Sequence, residues 1–222
     1  MSPKPFDPTF DTLPEVMPIF PLAGVLLLPR GKLPLNIFEP RYLAMTEDAL
    51  AGNRLIGMIQ PSDPADRGNA PPVYRTGCAG RITAFSETDD GRFLITLTGL
   101  CRFDLMRELP PVRGYRRVTA SWTRFADDLG EPGDADLDRY RLLDALRAYF
   151  KLHGLSANWD AIETTPDERL VTSLAMICPF DPSEKQALLE APTLAERAHL
   201  MLAMIEMAVS GPRCGDYTTA RH

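Results

Sequence analysis

Asp89 and Asp90 are adjacent carboxylates, a pairing that can divide general acid and general base work when the surroundings split the two pKa values. They are followed by Gly91, and an Asp-Gly step between strand-like segments supplies the positive φ angles of a tight hairpin, so turn formation accounts for them. His153, His199 and His222 are far apart and have no HxxxH or HExxH companion, so each reads as a solvent-facing or structural histidine. Cys78, Cys101, Cys178 and Cys214 show no CxxC spacing and are expected to be buried free thiols, with no metal site. Gly31-Lys32 is followed by Leu33 in a proline-rich segment, which cannot form a phosphate-cradling turn into a helix. Lys4, Lys32, Lys151 and Lys185 occupy surface-like contexts, and none is placed to be the desolvated base of a Ser-Lys peptidase. The expectation is a protein with no catalytic residue and no cofactor.

Binding is the remaining chemistry. Arg102, Arg107, Arg113, Arg116 and Arg117, with Tyr115 among them, make a local basic excess that would suit stacking on a nucleic acid. The whole chain opposes that reading, with a formal charge of -6 and a pI near 5.1 over 222 residues. Phe20, Ile37 and Phe38 are apolar residues in a proline-broken segment, and Glu39, Arg41 and Tyr42 follow around the helix start at Pro40. Here Glu39 can face the partial positive charge of the helix N-terminus, and Arg41 is suited to a structural ion pair. A second apolar set, Leu200, Met204 and Met207, lies beside the core face Leu194, Ala198, Met201, Leu202, Ile205 and Val209 of the last helix. Flexible, polarizable methionine suits a surface that accepts varied apolar partners.

Those residues need elements to position them. Met17 to Tyr42 carries prolines at 18, 21, 29, 34 and 40, which reads as short strands joined by turns and ending in a helix. Short strands are expected over 55–60, 77–87, from Phe93 through Phe103, and over 115–124 after the Pro110-Pro111 break. Gly99 interrupts the apolar alternation and marks a bulge or a close backbone approach. Residues 126–138 hold six acids and no basic residue, which predicts a solvated linker between a β-rich unit, 16–125, and a helical unit, 139–210. The flanks are a flexible arm, 1–15, and a tail, 211–222. Thr165-Pro166-Asp167-Glu168, Asp181-Pro182-Ser183-Glu184 and Thr193-Leu194-Ala195-Glu196 are helix starts, and three or four helices are expected after the linker. Neither a secretory leader nor a spanning segment is evident, so a cytoplasmic location is expected.

The proline-broken entry, IFEPRY at Ile37 to Tyr42, GRITAFSETDDGRFLITLTGLCRF at Gly80 to Phe103, and CPFDPSEKQALLE at Cys178 to Glu190 together resemble the Lon protease N-terminal, substrate-binding domain family. The resemblance covers about Val16 to Val209. The family also includes the corresponding domain of cereblon and free-standing bacterial proteins, and this chain is similar to the free-standing kind. It implies an α+β fold: a twisted, partly closed PUA-like sheet followed by a helical subdomain. It also implies binding of unfolded or exposed polypeptide segments, or of a protein partner, without the ATPase and peptidase of full-length Lon, and an adaptor role in proteolysis or quality control. Nucleic-acid binding is the second reading, since the PUA-like architecture makes it natural. A weak homodimer is a further expected association. The polypeptide site is expected among Phe20, Ile37, Phe38, Glu39, Arg41, Tyr42, Leu200, Met204 and Met207.

Overall fold

The computed structural model of the protein describes residues 8–211 apart from 64, 67 and 69. Residues 1–7 of the expected N-terminal arm and all but the first residue of the tail, with Cys214 and His222, lie outside the described residues. The rest of the arm is held, in contrast to the flexible segment expected: Phe10–Thr12 forms a 3-10 turn, Leu13 packs against the barrel core, and the Pro14 carbonyl accepts from the Trp122 indole N–H at 3.0 Å. The chain adopts the expected α+β fold. Its strands are β1 Val16–Pro21, β2 Lys32–Ile37, β3 Leu55–Ile59, β4 Thr76–Glu87, β5 Phe93–Val112 and β6 Tyr115–Ser121, in sheet order β2-β5-β4-β3-β1-β6. Because β5 also pairs with β6, five strands close into a barrel and β2 remains outside it as an extra edge strand. Every pairing is antiparallel except β1 with β3. Length allows β5 to serve three neighbours: Phe93 to Thr98 pairs with β2, Asp104 to Val112 with β6, and β4 lies along its first half.

Alternation along these strands divides apolar side chains between two cores. Met17, Ile19, Ile59, Ala79, Cys101, Phe103 and Val118 fill the barrel, which Trp122 and Phe125 close at the start of the following 3-10 segment. Ile56, Met58, Cys78, Ile82, Ile95 and Leu97 face outward into a second core shared with the helices. At Gly99 both expectations hold. Residues 79 and 80 pair with 101 and 99, leaving Leu100 as the extra residue of a bulge. The Gly99 N–H donates to the Gly31 carbonyl and its carbonyl accepts from Arg30, both at 2.8 Å.

Two turns differ from the sequence reading. In the β4–β5 hairpin only Gly91 takes a positive φ, +77°, and Asp89 and Asp90 do not; the Gly91 N–H closes the turn on the Thr88 carbonyl at 2.9 Å. The Pro110-Pro111 pair does not end a strand: β5 passes through it by a register shift against β6, then reverses at Arg113 and Gly114, both with positive φ. The prolines sit where the ladder is already irregular, the place that tolerates a missing donor.

Helix α1, Pro40–Ala51, begins at its proline as the sequence predicts. The helical half contains α2 Arg139–Leu152, α3 Trp159–Thr164, α4 Asp167–Ile177, α5 Pro182–Glu190 and α6 Leu194–Ser210. The six-residue α3 is too short to show a period and was not expected; Asn158 caps it and Arg139 donates to the Ile162, Glu163 and Thr165 carbonyls at its other end. Asp181 and Glu184 form the expected capping box on α5. Thr193 caps α6 by accepting from the Glu196 N–H at 3.1 Å. Replacing Thr193 by alanine should cost about 1 kcal/mol in urea unfolding. An unchanged midpoint would show that the last helix does not depend on this cap.

The acidic stretch leaves five of its six acids exposed, as a solvated segment would, but it is anchored to the rest of the fold at Asp128 and Ala135. Arg102 on β5 donates through Nε and a terminal nitrogen to both carboxylate oxygens of Asp128, at 2.9 and 2.8 Å. The rest of its guanidinium meets the Leu189, Ala191 and Pro192 carbonyls beyond α5, and it lies 4.5 Å from the centre of the Phe125 ring. These side chains are only 5% and 10% exposed. Arg30 binds the Asp128 and Gly130 carbonyls, and Ala135 is buried. Fully buried polar groups need such partners, and the acids that supply one here are unrecognisable by composition alone. Beside this knot Arg197 donates to the Leu188 carbonyl at 2.8 Å; burial and then the Arg102 charge lower its pKa to about 10.

Candidate functional site

The first predicted set gathers at the β2–α1 junction, but most of it faces inward. Phe20 and Tyr42 are buried, with ring centres 4.2 Å apart, and Ile37 is in the shared core. Arg41 pairs with Glu39 at 2.9 Å, the structural ion pair expected, and lies over the Tyr42 ring. Burial raises the Tyr42 pKa, against the opposing pull of Arg41. A cleft of about 110 Å³ lies between Arg41, Tyr42, Pro71, Tyr115 and Arg116, but both guanidiniums already hold carboxylates, Arg41 that of Glu39 and Arg116 that of Glu108. Phe38 is the member of the set that reaches solvent with a large apolar side chain, 61% exposed.

Phe38 leads onto an open face of the sheet. With β5 in the middle, the register sets Asn36, Leu94 and Ser86 in one row and Pro34, Thr96 and Ala84 in the next. Lys32, Thr98 and Arg81 form a third row. Their side chains share the face opposite to Ile37, Ile95 and Leu97 because strand neighbours alternate. The face holds a shallow depression of about 470 Å³ around Pro34, Ala84, Leu94 and Thr96. Leu94 is 45% exposed at its centre, and the alternation carried one step past Ile37 and Phe93 sets Phe38 and Arg92 in the next row, with the guanidinium 5.8 Å from the ring centre. Phe85, on the other side of the hairpin, is equally exposed and meets Phe93 edge-on. Alternation along β5 sets Leu94 on the same face as Thr96 and Thr98. A lone leucine in a row of threonines was the available signal.

In α6 the expected second apolar edge is mostly absorbed. Met204 is buried and Leu200 is half-buried against the core, whereas Met207 is 65% exposed and Val209, expected in the core face, is exposed. Glu206 receives two hydrogen bonds from Arg141 of α2, at 2.6 and 2.7 Å.

The residues of the nucleic-acid reading do not form an open basic surface. Arg102 is buried in its ion pair, and Tyr115 is buried with its hydroxyl donating to Asp48 at 2.8 Å, so it cannot stack on a base. Arg113 bonds Glu47 and Asp48, Arg116 holds Glu108 through two bonds, and Arg117 donates to the Pro110 carbonyl. Arg107 is exposed. The carboxylates on Arg102, Arg113 and Arg116 offset charge that phosphate binding needs, whereas the carbonyl that meets Arg117 does not.

Cys78, Cys101 and Cys178 are buried free thiols, as expected. Burial raises all three pKa values, to about 12 for Cys101 and Cys178. Their protonated forms favour the folded state, so the contribution to stability is fully present below the ordinary value of 9.0 and is lost as pH climbs from there toward 12. In a Cys214→Ser variant, a thiol-specific disulfide reagent at about pH 8 should label almost nothing before urea is added and three thiols after. Fast labelling of the native protein would contradict this burial.

The sheet edge, the shared core and the knot at Arg102 together make one architecture that can be compared with known proteins. Residues 16–207 match the family model of the ATP-dependent protease La (LON) substrate-binding domain. The chain belongs to that family. Among relatives, a Lon protease of Dictyoglomus thermophilum is 32% identical over 97 residues, 44% of this chain and 12% of that protein. Lon protease 2 of Myxococcus xanthus is 24% identical over 200 residues, 88% of this chain and 24% of that protein. The chain thus spans a quarter or less of the length of these Lon proteases. A Lon N-terminal domain protein from Xanthomonas campestris superposes with a TM-score of 0.57 at 25% identity, over 85% of this chain and 97% of that one. The N-terminal domain of a Mycobacterium avium complex Lon protease shares the fold, with a TM-score of 0.56 at 12% identity over 86% of this chain and 97% of that one. In this Lon substrate-binding domain no described helix is long and apolar enough to cross a membrane.

Proposed function

We propose that the protein captures exposed apolar segments of polypeptides on the β2–β5–β4 face, as a non-catalytic recognition module that presents clients for proteolysis. The observation that carries this reading is the exposure of Phe38 and Leu94 on one depressed sheet face of a Lon substrate-binding domain. Membership in that family supports polypeptide as the ligand class. The face supports side-chain capture over strand addition: β2 is the sheet edge, and Pro34 in its middle has no N–H to offer an incoming strand. A few apolar anchors then set affinity, with surrounding contacts excluding water. Met207 at the end of α6 is a second exposed apolar residue and belongs to the helical half.

Fluorescence anisotropy with a labelled, unfolded model polypeptide tests the proposal. Leu94→Glu should weaken binding by at least about tenfold, a loss of about 1.4 kcal/mol, without shifting the urea midpoint, because the side chain faces solvent. Met207→Glu should change binding by less than about twofold if the sheet face is the main anchor. Equal affinities for the native protein and Leu94→Glu would rule out this face.

A further inference from the structure

We propose that the same face selects extended segments in which an apolar anchor stands four residues from an acidic side chain, a specificity that rests on the polypeptide-binding reading above. Leu94 and Thr98 are four residues apart on β5, or roughly 13 Å at the rise of a strand. An extended peptide lying along β5 with its apolar residue over Leu94 therefore brings its fourth neighbour to the row of Lys32, Thr98 and Arg81. Lys32 is exposed at the β2 edge and supplies the charge of this end; Arg81, on the other side of Thr98, is half-buried and already has a contact of its own. Thr98 lies between them; its hydroxyl is bonded to that of Thr83 at 2.9 Å, and Thr83 donates on to the Thr96 carbonyl at 3.2 Å, so the attraction for an acid comes from the basic side chain.

The opposite end of the face has the other sign. Glu87, Asp89 and Asp90 surround the hairpin tip, and Arg92 there is paired with Asp90 at 2.8 Å. An acidic residue on the client is therefore repelled at the tip and attracted at the Lys32 end, which fixes the direction in which the peptide lies. With Pro34 withholding a backbone donor from the edge, this pattern of side chains, one apolar centre and one basic end, is the information the face offers.

The test uses the full chain and three short labelled peptides that differ at one position, carrying Asp, Asn or Lys four residues from a single leucine. Exposed ion pairs are weak, so the Asp peptide should bind about 3- to 10-fold more tightly than the Asn peptide at low salt, near 0.05 M, and the Lys peptide more weakly than either. The gap should close at about 0.5 M salt, where screening is nearly complete over such distances. Lys32→Glu should reverse the order of the Asp and Lys peptides. Binding of all three within about twofold at low salt would overturn the selectivity while leaving polypeptide capture intact. Binding of none would overturn both, as would a dimer in sedimentation velocity that Leu94→Glu disperses while no peptide competes, since the face would then belong to a second copy.

Discussion

Removing the Asp128 carboxylate by mutation to alanine should destabilise the protein by about 3–5 kcal/mol, among the largest effects of any single side chain here. The cost comes from what remains. Arg102 stays buried on β5 with its charge and with the Leu189, Ala191 and Pro192 carbonyls as partners, but without the anion that offsets it. Arg197 aggravates the loss, because it is buried in the same region and the two like charges already oppose each other. Asp128→Asn should cost less, since one oxygen still accepts from the guanidinium. The double change Arg102→Met with Asp128→Leu should recover part of the loss, because replacing both partners removes the stranded charge, although three carbonyls then lose a donor. Urea unfolding followed by the fluorescence of Trp122, which closes the barrel, and of Trp159 reads all three variants. A cost below about 1 kcal/mol for Asp128→Ala would mean that water reaches this ion pair and screens it.

Gly99→Ala should be nearly as damaging, at about 3 kcal/mol or more, for a reason unrelated to charge. A Cβ at position 99 would lie 1.9 Å from the Leu28 carbonyl oxygen and 2.7 Å from its carbon. Backbone stands on both sides of that contact, so no side chain can turn away to relieve it. The strands would have to separate, breaking the two 2.8 Å hydrogen bonds that join Gly99 to Arg30 and Gly31. Gly133→Ala is the control: a Cβ there meets nothing within 4 Å, and the change should stay within about 0.5 kcal/mol. If the two variants unfold at the same urea concentration, the approach of Leu28 to β5 is not close in solution.

The helix starts and the hairpin were legible because each rests on local chemistry. Pro40, the Asp181–Glu184 box and the Thr193 cap act within one turn of their own sequence, and Gly91 takes its φ from its own lack of a Cβ. Arg102 was not legible in the same way. In the strand it reads as one more polar residue, and only the approach of residues 128 and 189–192 makes it a buried centre. The candidate site failed in both directions for a similar reason. Phe20, Ile37 and Met204 are apolar residues that the core shared by the sheet and the helices could absorb, and they did. Leu94 and Phe38 escaped because β2 lies outside the barrel, so among the described residues one face of the β2–β5–β4 sheet has no layer above it. Alternation tells which residues share a face, whereas tertiary packing decides which face is covered.

The barrel's closure also dictates an order of events when the chain is made on a ribosome. β1 ends at Pro21, yet its two partners are β3 and β6, and β6 is complete only at Ser121. At roughly 5–20 residues per second, the first strand waits roughly 5–20 s beyond its own synthesis before its second edge is satisfied. During that interval Met17 and Ile19, which finish in the barrel interior, have no interior to enter. A protein proposed to capture exposed apolar segments thus begins by presenting such a segment itself.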